Sequence, residues 1–499
     1  MTAYSDLTLD ELVTLLQTKQ MSATEALDAH LARIDEVNGA INAVVTLDEE
    51  RARAQAREAD RLLAASGGGV SVPPLLGVPM THKDSIATHG MRTTFGSPLF
   101  ADNVPDRSAW LIDRLNAAGV VTTGKTNVPE FAAGSHTFNP VFGTTVNPYD
   151  TTRSAGGSSG GAAAAIAAGI QPAGDGSDTG GSLRTPGSFC NLVGYRPSLG
   201  RIPLGPGRNP WTWMSRQGFL ARRTGDIRLL MQQVSGAHPD SPVPAREDGA
   251  FDRRRRRSLH GLRVAWSPDL GLGLPVEADV LSVLTAQLDT LRALGAEVVE
   301  VSPDLRDADT VFLTTRAYDF AAAYGDLVRE RGGEIKTTMR ENVADGLALT
   351  VDDLFANDAA RARLHAAMTV FFQDVDVLVT PAVQVLPFDA QLEFPTEVAG
   401  TPTPHYLDWM RAATLISATG LPSLSVPGGF SAGGLPVGLQ MVTADQADGL
   451  LLDVAQTFEE ATLFADVRPE LRAAGPAAGE GRLGLETERS VLAGAAAGR

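Results

Sequence analysis

Two glycine-flanked serines stand 24 residues apart: Ser158 in Gly156-Gly157-Ser158-Ser159-Gly160, and Ser182 after Thr179-Gly180-Gly181. A hydroxyl is a weak nucleophile until a base takes its proton, so a serine pair asks for a third group. Lys83, in Leu76-Gly77-Val78-Pro79-Met80-Thr81-His82-Lys83-Asp84-Ser85, follows a short apolar run. A lysine is ordinarily solvated, but one buried beside hydroxyls sheds its charge through desolvation and then accepts a proton. His82, His89 and His136 are rival bases. None of them stands in a recognisable Ser-His-Asp arrangement, and the residues alone leave the choice open.

Positioning these groups falls to the elements around them. Between the serines lies an Ala-rich helix, Ala162 to Ala168, ended by Gly169, and then a buried strand leading to Asp175. A helix with a strand returning along it brings both serines together. Two other pattern matches fail on their elements. Gly119 to Thr126 satisfies G-x-x-x-x-G-K-[ST], but a phosphate loop needs a strand before the first glycine and a helix after it. Here Ser108 to Ala118 reads as helix, Val120 to Thr123 as strand, and Pro129 follows closely. Gly156 to Gly160 satisfies G-x-S-x-G, but the polar, turn-rich Asn147 to Arg153 replaces the buried strand that a nucleophile elbow requires.

Further out, Thr8-Leu9-Asp10-Glu11 and Ser22-Ala23-Thr24-Glu25 match the helix capping box, and Glu49 to Ala65 reads as a third helix before Gly67-Gly68-Gly69. Residues 1–66 are thus expected to be a helical segment packed on a core domain of residues 67–470. Strand (Leu262 to Trp266), helix (Glu277 to Leu294) and strand (Glu297 to Val301) make a βαβ unit. The expected fold class is α/β, a central mixed sheet between helix layers. Pro239 to Arg257, polar and charged, reads as a linker, with Arg253 to Arg257 a solvated run. Residues 471–499, rich in Ala, Gly and Glu, read as a flexible tail.

The 499 residues carry 42 basic and 59 acidic side chains, a net charge of −17, which argues against nucleic acid or an anionic membrane surface as partner. Cys190 is the sole cysteine, which excludes an intramolecular disulfide and a Cys-rich metal site. It reads as a small core residue. No metal-ligand spacing is visible, and neither a signal peptide nor a spanning apolar run, so a cofactor-free cytoplasmic protein is expected.

The block Ser154 to Ile202 with Lys83-Asp84 resembles the amidase signature family, as do Gly124-Lys125-Thr126-Asn127-Val128-Pro129-Glu130-Phe131, Thr419 to Pro427 and Gly434 to Gln440. The resemblance runs from about residue 5 to about residue 465. It implies that Ser182 is the acylated nucleophile, that Ser158 bridges it to Lys83, and that the bond from Gly157 to Ser158 is cis. It also implies an oxyanion site from the amides of Thr179, Gly180, Gly181 and Ser182, with Ser159, Asp178 and Arg184 as supports. Gly187, where the family often has alanine, and Arg222-Arg223 depart from its pattern without touching the relay. Gly134, Ser135, Trp213 and Met214 are the candidate substrate contacts. The expected function is a serine amidohydrolase for small or hydrophobic amides, anilides or carbamates, with a homodimer possible. The alternatives are the glutaminase subunit of a tRNA-dependent amidotransferase, disfavoured by the Trp211-Trp213-Met214 loop, and a binding protein with a dead site, disfavoured by intact Lys83, Ser158 and Ser182.

Overall fold

Thr8 and Ser22 open the first two helices, Leu9–Gln17 and Ala23–Ile41, each through a complete capping box with Glu11 or Glu25. The third helix, Glu49–Ala65, starts on the Asp48 side chain. The computed structural model describes residues 3–66, 71–207, 209–244 and 248–471; the Gly67-Gly68-Gly69 joint and the expected tail beyond Leu471 lie outside them. Helix Leu9–Gln17 buries Leu9, Leu12 and Leu16 in the main core, and Asp226 accepts the amides of Leu9 and Asp10. Between the second and third helices, Val44–Leu47 forms a strand that the helical patterning of the N-terminal segment does not announce.

That strand opens a three-stranded sheet. It pairs antiparallel with Val121–Thr126, which runs parallel to Pro79–Lys83 on its other side. Helix Trp110–Ala117 precedes Val121–Thr126, the reverse of a phosphate loop's order, and the strand continues through Lys125. Lys125 is fully buried and donates to the Ile86 carbonyl (2.6 Å) and Thr88 Oγ1 (2.7 Å), so it does not reach out to a ligand. A Cβ on Gly124 would lie 2.0 Å from the Thr46 carbonyl oxygen, so the close approach of the two strands requires glycine there.

The eight-stranded central sheet is mixed. Its order is Glu297–Glu300, Arg263–Trp266, Val377–Pro381, Pro436–Val442, Ser423–Phe430, Val193–Arg196, Arg216–Ala221 and Ala173–Asp178. The βαβ unit sits at one end, with Arg263–Trp266 parallel to Glu297–Glu300 across helix Ala278–Ala293. Antiparallel pairs carry the sheet to the edge strand Ala173–Asp178. Helices cover the sheet, giving the expected α/β architecture. Among the described residues, no helix is long and apolar enough to cross a membrane.

The stretch read as a linker is strapped down where it is described. Arg254 bonds Glu460 Oε1 (2.6 Å) and Thr457 Oγ1 (2.8 Å), and Asp453 accepts the amides of Arg255 and Arg256. The Arg254 side chain therefore packs along helix Asp448–Thr462, while Arg253, Arg255 and Arg257 stay exposed as expected. Gly124→Ala tests the strand packing. It is expected to lower the stability by about 1–3 kcal/mol, the usual cost of overpacking, read as a reduced denaturant midpoint at unchanged slope.

Candidate active site

Lys83 ends the strand Pro79–Lys83, whose five residues are all buried. Its fully buried Nζ faces three hydroxyls: Ser158 Oγ at 2.8 Å, Ser159 Oγ at 2.9 Å and Ser177 Oγ at 2.9 Å. Burial depresses its pKa from 10.5 to about 7, against the opposing charges of Asp178 and Asp175. A neutral amine has two hydrogens and one lone pair. Three hydroxyl neighbours match that inventory, two accepting and one donating.

Ser158 and Ser159 precede helix Gly160–Ala167, and the Gly157–Ser158 peptide bond is cis. The returning strand Ala173–Asp178 leads into the turn that carries Ser182, and the Ser159 amide donates to the Ser182 carbonyl (3.2 Å). The two glycine-serine segments therefore meet. Exposure rises from Lys83 (0%) through Ser158 (1%) to Ser182 (8%), so Ser182 stands nearest to solvent.

Asp178 shapes the Ser182 turn. Its carboxylate accepts the amides of Gly181 (2.8 Å) and Leu183 (3.2 Å), and Arg184 Nε and Nη2 at 3.0 and 2.9 Å. Burial alone would raise its pKa, but Arg184, with Arg196, holds the group well below the usual carboxylate range. Gly181 sits at φ +112°, a conformation glycine adopts without steric cost. One expectation changes here. The Gly181 amide is committed to Asp178, which leaves Thr179, Gly180 and Ser182 as the amides with no acceptor among the described residues.

A sequence profile of the amidase family, described as Amidase, matches residues 25–452. The chain belongs to the amidase family. An acylamidase of Rhodococcus erythropolis is 36% identical over 471 residues, covering 93% of this chain and 97% of that protein. A glutamyl-tRNA(Gln) amidotransferase subunit from Synechococcus sp. (strain WH7803) is 35% identical over 486 residues, covering 90% and 96%. A bacterial aryl acylamidase of the amidase signature family superposes with a TM-score of 0.86 at 25% identity, covering 92% of this chain and 98% of that one. The protein is a hydrolase of carbon–nitrogen bonds other than peptide bonds.

Of the rival bases in this amidase, His82 bonds Asp175 Oδ2 through Nδ1 (2.5 Å) and faces Thr122 Oγ1 through Nε2 (3.1 Å), all fully buried. His136 lies between Ser154 Oγ and the Ala390 carbonyl, and burial lowers its pKa to about 4. His89 is exposed. Cys190 is buried, and burial pushes its thiol pKa far up. Among the described residues, no cluster of His, Cys, Asp or Glu could hold a metal.

The proposed substrate contacts separate. A Cβ on Gly157 would touch the backbone of Ser135 and His136 at 3.0 Å, so that loop packs behind Ser158, and Gly134 and Ser135 border only a void of about 10 Å³. Met214 is fully buried in the main core, its carbonyl accepting Arg196 Nη2 (2.7 Å), which corrects its reading as a pocket residue. Trp213 lies under the Arg361 guanidinium (3.9 Å) and lines a cavity of about 380 Å³ with Arg216, His365 and Leu421.

The larger cleft, about 620 Å³, is lined by Phe312, Leu313, Arg316, Leu407, Arg411 and Thr414, among others. A Cβ on Gly180 would strike Phe312 (2.7 Å) and Thr414 (3.2 Å), so the cleft wall is also the wall of the Ser182 turn. No local motif marks these residues. Ser177, also missed, had a signal: period-two alternation puts it on the same strand face as Asp175. Arg184→Met should strand a buried carboxylate and cost about 3–5 kcal/mol, measured by chemical denaturation.

Proposed function

We propose that this amidase hydrolyses small, largely apolar acyl amides and anilides through an acyl-enzyme on Ser182. The observation that carries the proposal is the solvent-excluded Lys83 amine ringed by hydroxyls, two of them on the cis-linked Ser158-Ser159 segment. Neutral Lys83 takes the Ser158 proton, Ser158 takes the Ser182 proton, and Ser182 Oγ attacks the amide carbonyl. The amides of Thr179, Gly180 and Ser182 are the donors offered to the oxyanion; losing one such donor typically costs about 10²–10³ in rate. As the tetrahedral intermediate collapses, Ser158 protonates the departing amine and recovers a proton from the Lys83 ammonium. Water then attacks the acyl-enzyme along the same relay and releases a carboxylic acid.

The apolar substrate is supported by the lining of the cleft beside Gly180. Phe312, Leu313, Ala317, Leu349 and Leu407 supply apolar surface. The cations there are engaged internally. Arg411 pairs with Asp309 (2.5 Å), and Arg316 bonds Asn342 Oδ1 (3.0 Å) and Tyr406 Oη (2.8 Å). An amidotransferase glutaminase would need a cation free to fix an α-carboxylate. Similarity to an acylamidase supports the same choice, and carbamates of similar shape fit the same chemistry.

Four outcomes are expected. Ser182→Ala should leave less than about 1% of the activity toward an acyl anilide while folding normally, and the parent should turn over anilides in preference to glutamine; the reverse preference would favour the glutaminase. In the parent, kcat/KM should fall on the acid side with a midpoint of about 7, where Lys83 gains its proton. Lys83→Arg should not restore the rate, because a guanidinium keeps its proton throughout this range. A Lys83→Arg enzyme as fast as the parent would reduce Lys83 to a positive charge.

A further inference from the structure

The three-stranded sheet and the eight-stranded sheet present their edge strands, Pro79–Lys83 and Ala173–Asp178, to one another. No backbone ladder joins them; side chains do. Gln171 Oε1 accepts the Thr81 amide (2.9 Å), and Asp175 Oδ1 accepts the Lys83 amide (2.9 Å). The other Asp175 oxygen takes His82 Nδ1 at 2.5 Å. His82 is held in turn through Nε2 by Thr122 Oγ1, which bonds Asn116 Oδ1 (3.0 Å). Every member of the set from Thr122 to Lys83 is fully buried. A carboxylate at zero exposure is costly unless its oxygens are engaged, and here both are.

The relay proposed above does not use Asp175 or His82. With Thr122 as its hydroxyl, the pair has the outline of a histidine-based triad, but Thr122 lies inside the small sheet at zero exposure, whereas Ser182 is 8% exposed. Its connection to chemistry runs through Lys83.

We propose that Asp175, braced by His82, is the positioning residue of the Lys83 base: it fixes the backbone from which the amine springs and places a permanent negative charge beneath it. The inference rests on Lys83 being the base. The charged groups around that amine are Asp175 and Asp178 from the strand across the gap, with Arg184 and Arg196 paired to Asp178, and Asp84 and Lys125 in and beside its own strand. Asp175 is one of the two carboxylates that oppose the effect of burial on Lys83. Removing its charge must favour the neutral amine.

Two substitutions separate placement from charge. Asp175→Asn keeps an acceptor for the Lys83 amide in its carbonyl oxygen while it removes the carboxylate charge. The acid limb of kcat/KM should therefore move to lower pH than in the parent. Asp175→Glu keeps the charge but displaces the acceptor by a methylene, so kcat should fall by on the order of 10²-fold, the cost of about 1 Å of misplacement, with the limb near its parental position. Melting temperatures establish that each variant is folded; if one is not, the other decides. A folded Asn variant with the parental limb, or a folded Glu variant with the parental kcat, overturns the proposal. Ser182→Ala, run alongside, reports separately on the acyl-enzyme reading.

Discussion

A lysine amine held away from water and ringed by hydroxyls is the interaction on which the centre of the amidase is built. Lys83 reaches zero exposure because its strand is buried along its whole length and its Nζ ends among serines rather than at a surface. Desolvation disfavours the ammonium, while Asp178 and Asp175 limit how far that goes. The outcome, about 7, places the lysine between its forms near neutrality. A histidine would reach this range unperturbed. A lysine reaches it only inside a built environment.

The second hub is Arg184. Its guanidinium grips both oxygens of Asp178, and its remaining donors go to the Ala413 carbonyl (3.0 Å), Gln440 Oε1 (2.6 Å) and Ser417 Oγ (2.6 Å). One planar cation thus ties the Ser182 turn to helix Arg411–Thr419 and to the central strand Pro436–Val442. The same helix presents Arg411 and Thr414 to the cleft. Placement of the Ser182 turn and of the cleft wall beside it therefore depends on a single buried cation. Removing one partner of such a pair leaves an uncompensated buried charge, so the two groups hold this junction only together.

What could be read in the sequence was local. Thr8 and Ser22 announce helices because a capping box needs only four residues, and Glu277 to Gly295 announces a helix by its own periodicity and stop. The glycine–serine block and Lys83-Asp84 carried the family resemblance and, with it, the groups that now meet around Nζ. What escaped depends on contacts distant in sequence. Val44–Leu47 is a strand because Gly124 lets it approach, and Met214 is core because Arg196 holds its carbonyl beneath the Ser182 turn. The cleft is assembled from helix Ala308–Arg331 and the segment around Thr414, neither of which carries a motif. Arg254 escaped for a similar reason: its partners, Thr457 and Glu460, lie some 200 residues further along the chain.

His82 and Lys83 are neighbours on one strand, and strand geometry explains why one meets the serine cluster and the other does not. Successive side chains leave opposite faces, so the two cannot serve the same side of the sheet. The His82 ring turns toward Thr122, which is fully buried in the interior of the small sheet. The Lys83 side chain leaves the other face and spans the gap to Ser158, Ser159 and Ser177 with four methylenes. Asp175 meets both residues because it lies across the gap and splits its oxygens, one to the His82 ring and one to the Lys83 backbone. Reversing the two residue types would place an imidazole too short for the serine cluster beside it and an amine where no serine waits. The order His82-Lys83 is therefore part of the site.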